Sequence, residues 1–137
     1  EIIIFDDYAH HPTEIKATLS SIKLAYKDRR IIAIFQPHRY SRTELLLNYF
    51  KDAFEYADNL IITDIYAAGE NEISGISGET IFDIVKNGNN KTKYIKNIDD
   101  IIPELDKMKK DGDIILTLGA GNISRISNEY AKKLLDS

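Results

Sequence analysis

The sequence predicts an α/β domain, a doubly wound, mostly parallel sheet of about five to six strands with helices on both faces. Three observations carry this reading. Short runs of β-branched and aromatic residues alternate with longer stretches whose apolar residues recur at helical spacing. Strand, helix, strand, helix implies parallel strands joined by crossovers, with helices covering both faces of the sheet. The polar and unusual residues collect directly after the strands, where an open parallel sheet binds its ligands.

The elements follow in order. Ile2-Ile3-Ile4-Phe5 reads as a buried strand by its β-branched content. Pro12 suits the first turn of a helix, and Ile15, Leu19, Ile22 and Tyr26 follow at helical spacing. Ile31 to Phe35 is the second strand. Ser41 and Glu44 form a capping-box pattern ahead of a helix expected to bury Leu46, Tyr49, Phe50 and Ala53. Leu60 to Thr63 is the third strand. A long glycine-containing loop leads to a helix carrying Ile81, Ile84 and Val85, closed by Gly88. Asn87 to Lys91 reads as a polar loop and Tyr94-Ile95 as a short strand. Ile101, Ile102, Leu105 and Met108 mark a fourth helix, with Pro103 near its start and Gly112 closing it. Ile114 to Leu118 is the last strand. Ile126, Tyr130 and Leu134 face the core from a terminal helix.

Length and composition bound the function. At 137 residues one domain is expected, and an apolar fraction of 43% is enough for a real core. The chain has no cysteine, which excludes disulfides, zinc–thiolate sites and thiol catalysis and fits a reducing compartment, so a cytoplasmic location is expected. A net charge of −4 gives no general attraction to nucleic acid or anionic membrane, and no apolar run approaches spanning length. The single methionine is Met108 and the chain opens directly on a strand, so it reads as a domain excised from a larger protein.

Four segments hold the candidate chemistry: Asp6 to Pro12, Gln36 to Thr43, Asp64 to Glu70, and Gly119 to Asn122. All three histidines fall in the first two. If the sheet is parallel, the four share one rim. Asp6 and Asp7 either cap a turn or accept ribose hydroxyls; His10 and His11 either settle a turn or sit near phosphate or metal. Arg39 and Arg42 are three apart and can point to one side near a helix start, where planar guanidinium forks suit carboxylate or phosphate. Gly119-Ala120-Gly121 suggests a dinucleotide fingerprint, but Ser124 stands at its third glycine position and the motif follows the last strand, so a tight strand-to-helix turn explains it better. No Gly-Lys-Ser/Thr phosphate loop is encoded, so the chain lacks the usual means of holding a triphosphate.

At these loops the sequence resembles the C-terminal domain of the Mur ligases over nearly its whole length. The anchors are DDYAHHPTE at 6–14, FQPHRYSRT at 35–43, DIYAAGE at 64–70 and LGAGNI at 118–123. The resemblance implies a Rossmann-like fold and one third of a three-domain, ATP-dependent ligase of peptidoglycan synthesis. The absent partners would be an N-terminal domain that binds the UDP-sugar and a central domain that holds most of ATP and Mg. The second motif points to the reaction that joins L-alanine to UDP-N-acetylmuramate through an acyl phosphate.

Carried over by position, Asp7 would accept the ATP ribose hydroxyls, with Tyr8 and His10 lining the nucleotide and phosphate side. His38, Arg39, Arg42 and His10 would serve the reacting centre. Arg39, Arg42 and Tyr8 would bind substrate, and no residue here is expected to hold a metal. His11, Tyr40 and Ser41 would support them, and Asn122 stands where many relatives carry an acid. The isolated domain would not ligate. Three other readings stay open: a ligase that recycles murein tripeptide, a non-catalytic nucleotide-binding module, and a structural domain closing a subunit interface.

Overall fold

The structure is a computed structural model and describes residues 1–88 and 91–137. Asn89 and Asn90 of the expected polar loop lie outside the described residues. The strands are β1 (Ile3–Asp7), β2 (Ile31–Phe35), β3 (Asn59–Ile62), β4 (Lys91–Tyr94) and β5 (Ile114–Leu118). The α-helices are α1 (Pro12–Ala25), α2 (Tyr40–Leu46), α3 (Gly78–Val85), α4 (Ile101–Met108) and α5 (Ser124–Leu135). A 3-10 segment, Leu47–Asp52, continues directly from α2.

All pairings are parallel, and the strand order is β1-β5-β2-β3-β4. Every residue of β2 and β5 is buried, as expected of central strands covered on both sides. Alternation along the strands divides the core. Ala33, Phe35, Leu60, Ile62, Leu116 and Leu118 meet Ile15 and Leu19 of α1, Phe50 of the 3-10 segment, and Ile81 and Val85 of α3. On the other face Ile32, Ile34, Ile61 and Ile115 meet Ile101 and Leu105 of α4 and Ile126 and Tyr130 of α5. Fully burying each such side chain is worth about 1.5–3 kcal/mol, so either face alone would bind its helices firmly.

The chain path positions the site. From β1 to β4 the strands advance in one direction with the connecting helices on one face. Then α4 returns along the opposite face and β5 inserts between β1 and β2. This reversal opens a crevice at the carboxyl ends of the strands beside β5.

Several expectations need correction. The first strand runs to Asp7, so Asp6 and Asp7 are its last residues, and they face opposite sides of the sheet. The Ser41–Glu44 capping box does not form: the N-cap of α2 is Arg39, which makes no side-chain capping bond, and the Ser41 hydroxyl donates to Glu70 instead. Tyr49, expected inside, is 70% exposed. The cause is the change from α to 3-10 winding after Leu46. Three residues per turn bring Phe50 and Ala53 onto the core and leave Tyr49 outside. The fourth strand starts earlier, at Lys91, although Ile95 still donates to the Ile62 carbonyl.

Candidate functional site

Two rim loops are joined by backbone. His38 and Tyr66 form an isolated parallel bridge: the Arg39 amide donates to the Tyr66 carbonyl at 2.8 Å, and the Tyr66 amide donates to the Pro37 carbonyl at 2.9 Å. The bridge extends the β2–β3 pairing beyond the sheet and holds the histidine–arginine loop against the loop that follows β3. Arg39 has φ 71° and ψ 141°, a conformation ordinarily left to glycine. Its carbonyl accepts from the amide of Thr43 at 3.2 Å and from the Thr43 hydroxyl at 2.8 Å. Tyr40 and Thr43 are buried, whereas Arg39 is exposed and Arg42 only partly covered.

A file of rings crosses this rim. The centroids of Tyr8 and His10 are 5.8 Å apart, edge to face. Those of His10 and His38 are 5.7 Å apart. His38 in turn stacks on Tyr66, with centroids at 5.8 Å and planes 11° apart. The loop after β1 thus meets the loops after β2 and β3. His10 Nδ1 lies 3.1 Å from the Tyr8 carbonyl. A carbonyl only accepts, so Nδ1 carries the proton and Nε2 keeps a lone pair. His38 Nδ1 is buried without a hydrogen-bond partner. Burial first, then repulsion from the Arg42 and Arg39 guanidinium groups and from His10 whenever that ring is protonated, hold the His38 imidazole below its ordinary pKa, with Glu70 opposing. It is therefore neutral at pH 7.

The arginines divide sharply. Arg30 is paired with Asp113, Arg125 with Asp99 and Glu129, and Arg29 donates to the carbonyls of Glu1 and Gly112. Arg39 and Arg42 make no ion pair or side-chain hydrogen bond among the described residues. Two guanidinium groups without an ion-pair partner within contact distance, beside an imidazole, have the chemistry to bind a carboxylate or phosphate.

Other expected residues lie differently. His11 is spent on structure: it is the N-cap of α1, its Nδ1 accepting from Thr13 while Glu14 accepts the amides of His11 and His10. Asp7 Oδ2 accepts the Thr18 hydroxyl at 2.5 Å. No ring contact or side-chain hydrogen bond links Asp7 to the histidines. Asp6 accepts from Thr117 on the opposite face. Tyr8 is 70% exposed, leaving its ring open to a ligand.

Sequence reasoning missed Tyr66 and Gln36. Gln36 is buried; its Nε2 donates to Asn122 at 2.7 Å and its Oε1 accepts the Ile123 amide at 3.2 Å. It thereby ties the β5 turn to the end of β2. Gly121 is required there, since a Cβ would stand 2.5 Å from Tyr66 Cγ and 2.6 Å from Gln36 Oε1. A polar residue following an unbroken apolar strand was the available signal for Gln36. On the far side of Tyr66 a cavity of about 280 Å³ is lined by Gln36, Asp64, Lys96 and Asn122 among others. A larger groove of about 460 Å³ runs between the start of α1 and the 3-10 segment, lined by Pro12, Thr13 and Tyr49 among others and by none of the histidines.

Residues 1–121 match the family described as "Mur ligase, glutamate ligase domain". A UDP-N-acetylmuramate–L-alanine ligase of Brachyspira hyodysenteriae is 73% identical over 134 residues, which cover 98% of this chain and 29% of that protein. The solved UDP-N-acetylmuramate–alanine ligase of Thermotoga maritima superposes with a TM-score of 0.75 at 28% identity, over 98% of this chain and 27% of that one. A murein peptide ligase of Psychrobacter arcticus superposes with a TM-score of 0.73 at 25% identity, over 96% of this chain and 27% of that one. The chain thus spans under a third of the length of these relatives. By its sequence match and its fold, the chain belongs to the Mur ligase family, as its glutamate ligase domain.

Proposed function

We propose that this chain is the C-terminal domain of a cytoplasmic ligase that uses ATP to join L-alanine to UDP-N-acetylmuramate in peptidoglycan precursor synthesis. The observation that carries the reading is the pair of unpartnered guanidinium groups, Arg39 and Arg42, flanking the neutral His38 at the sheet's carboxyl rim. The identity to the Brachyspira ligase supports the same substrates.

On this reading Arg39 and Arg42 bind the L-alanine carboxylate and turn its amine toward the activated carboxylate. They also offset negative charge that grows on the transferred phosphate, where preformed charge is most effective. The Nε2 lone pair of His10 accepts a proton from the L-alanine ammonium, which frees the amine to attack. Asp7 keeps Oδ1 available for ribose hydroxyls, since only Oδ2 is taken by Thr18. Tyr8 offers an exposed ring beside it. ATP supplies the leaving group that activates the carboxylate, and Mg and most of the triphosphate are held by the central domain. Closure of this rim onto that domain excludes water from the acyl phosphate.

The test is to supply the full-length enzyme with ATP, UDP-N-acetylmuramate and either L-alanine or murein tripeptide, following ADP release and the amide product. L-alanine as the preferred acceptor supports the reading. Preference for the tripeptide would move the chain to the recycling ligase that the Psychrobacter structure represents. Nucleotide binding without any amide would leave a binding module.

A further inference from the structure

Helix α2 starts without a cap of its own. The N-cap position usually holds Ser, Thr, Asp or Asn, whose side chain accepts an amide of the first turn. Here that position is Arg39, which has no acceptor, and no side-chain capping bond is made. The missing acceptor comes from another loop. Glu70 lies 29 residues away, and its Oε1 accepts the Ser41 amide at 3.1 Å while its Oε2 accepts the Ser41 hydroxyl at 2.5 Å. Its own loop is bent to deliver it: Ala68 and Gly69 have φ of 52° and 87°, and the Glu70 amide donates to the Ala67 carbonyl.

We infer that Glu70 is a positioning residue: its carboxylate caps α2 from the neighbouring loop and so allows an arginine in a strained backbone conformation to occupy the cap position beside the reacting centre. Glu70 need not touch substrate. Its carboxylate meets the positive end of a helix, where it is favoured, and both oxygens are engaged by Ser41. Together with the His38–Tyr66 bridge, it fixes the two loops at both ends of the arginine segment. Without it, the first turn of α2 loses that acceptor, the Tyr66 and Thr43 bonds alone hold Arg39 in its strained conformation, and its guanidinium is less firmly placed. This inference rests on the ligase reading above and adds a residue to it.

The experiment compares Glu70→Ala, Glu70→Gln and Arg42→Ala in the full-length ligase, measuring kcat, the L-alanine KM, the ATP KM and Tm. Glu70→Ala is expected to lower kcat/KM for L-alanine about tenfold to a hundredfold, because small misplacements of a binding group are that costly. The ATP KM should change less than twofold and Tm by only a few degrees. Glu70→Gln is expected to recover most of the activity, since an amide oxygen still accepts the Ser41 amide. A glutamine variant as impaired as the alanine variant would overturn the inference, because accepting the Ser41 hydrogen bonds would then not be what Glu70 supplies. So would an active Glu70→Ala enzyme alongside a crippled Arg42→Ala enzyme, and in that case the ligase reading survives. If Arg42→Ala is also fully active, the failure lies in the ligase reading.

Discussion

The imidazole of His38 lies nearly flat on the ring of Tyr66, with planes 11° apart and centroids 5.8 Å apart, and its Nδ1 is buried without a partner. The stack is part of what keeps His38 uncharged, because burial is the foremost cause of its lowered pKa. In an NMR titration, His38 should titrate below its ordinary 6.5. Tyr66→Ala should raise that midpoint by admitting water. An unchanged midpoint would show that the ring does not shield it.

The same residue gives the protein a pH dependence with a definite sign. Folded His38 binds its proton less readily than unfolded His38 does. Well above the ordinary 6.5 both states are neutral and stability is unaffected. As pH falls from there toward the folded-state pKa, the unfolded chain takes up a proton that the folded chain refuses, and stability drops. Denaturant midpoints measured between pH 7.5 and 5.5 should fall, and the fall should be shallower for His38→Gln.

Asp7 carries two roles that a pair of variants separates. Thr18→Val removes the hydrogen bond to Oδ2 and leaves the carboxylate, and is expected to cost about 0.5–1.5 kcal/mol of stability with little effect on the ATP KM. Asp7→Ala should lose similar stability and raise the ATP KM more than the L-alanine KM. Equal effects of both variants on ATP would mean that Asp7 serves only to tie β1 to α1.

Gly121→Ala tests how tightly the β5 turn is fitted under the ring file. Its Cβ would overlap Tyr66 and Gln36. Relief requires Tyr66 to move from its Cβ outward and the buried, hydrogen-bonded Gln36 to shift, so the stability loss should be at least about 1–3 kcal/mol. The Tyr66 movement breaks the stack, so the His38 titration midpoint should rise as in Tyr66→Ala. A normal midpoint in Gly121→Ala would mean that the turn moves and the ring stays.

The architecture was legible because buried strands in a parallel sheet read as unbroken apolar runs, as at Ile31 to Phe35 and Ile114 to Leu118. The convergence of His10, His38, Arg39 and Arg42 on one rim followed from that topology. Three features were hidden for physical reasons. Tyr49 fell outside the core because the switch from α to 3-10 winding depends on tertiary packing, not on local pattern. Ser41 imitated a capping box, but its hydroxyl found a stronger acceptor in a carboxylate 29 residues away. Asp6 and Asp7 could be told apart only once the pleat was known, since neighbours on a strand point to opposite faces.

The central claim is that the unpartnered guanidinium groups serve chemistry and not folding. Among the described residues Arg42 makes no ion pair, so removing it leaves no partner charge buried and uncompensated. The most direct measurement is kcat/KM for L-alanine and Tm for Arg42→Ala in the full-length ligase. The account predicts a loss of about a hundredfold or more in kcat/KM with Tm within about 2 °C of the parent. A Tm loss comparable to the activity loss, or near-normal turnover, would contradict it.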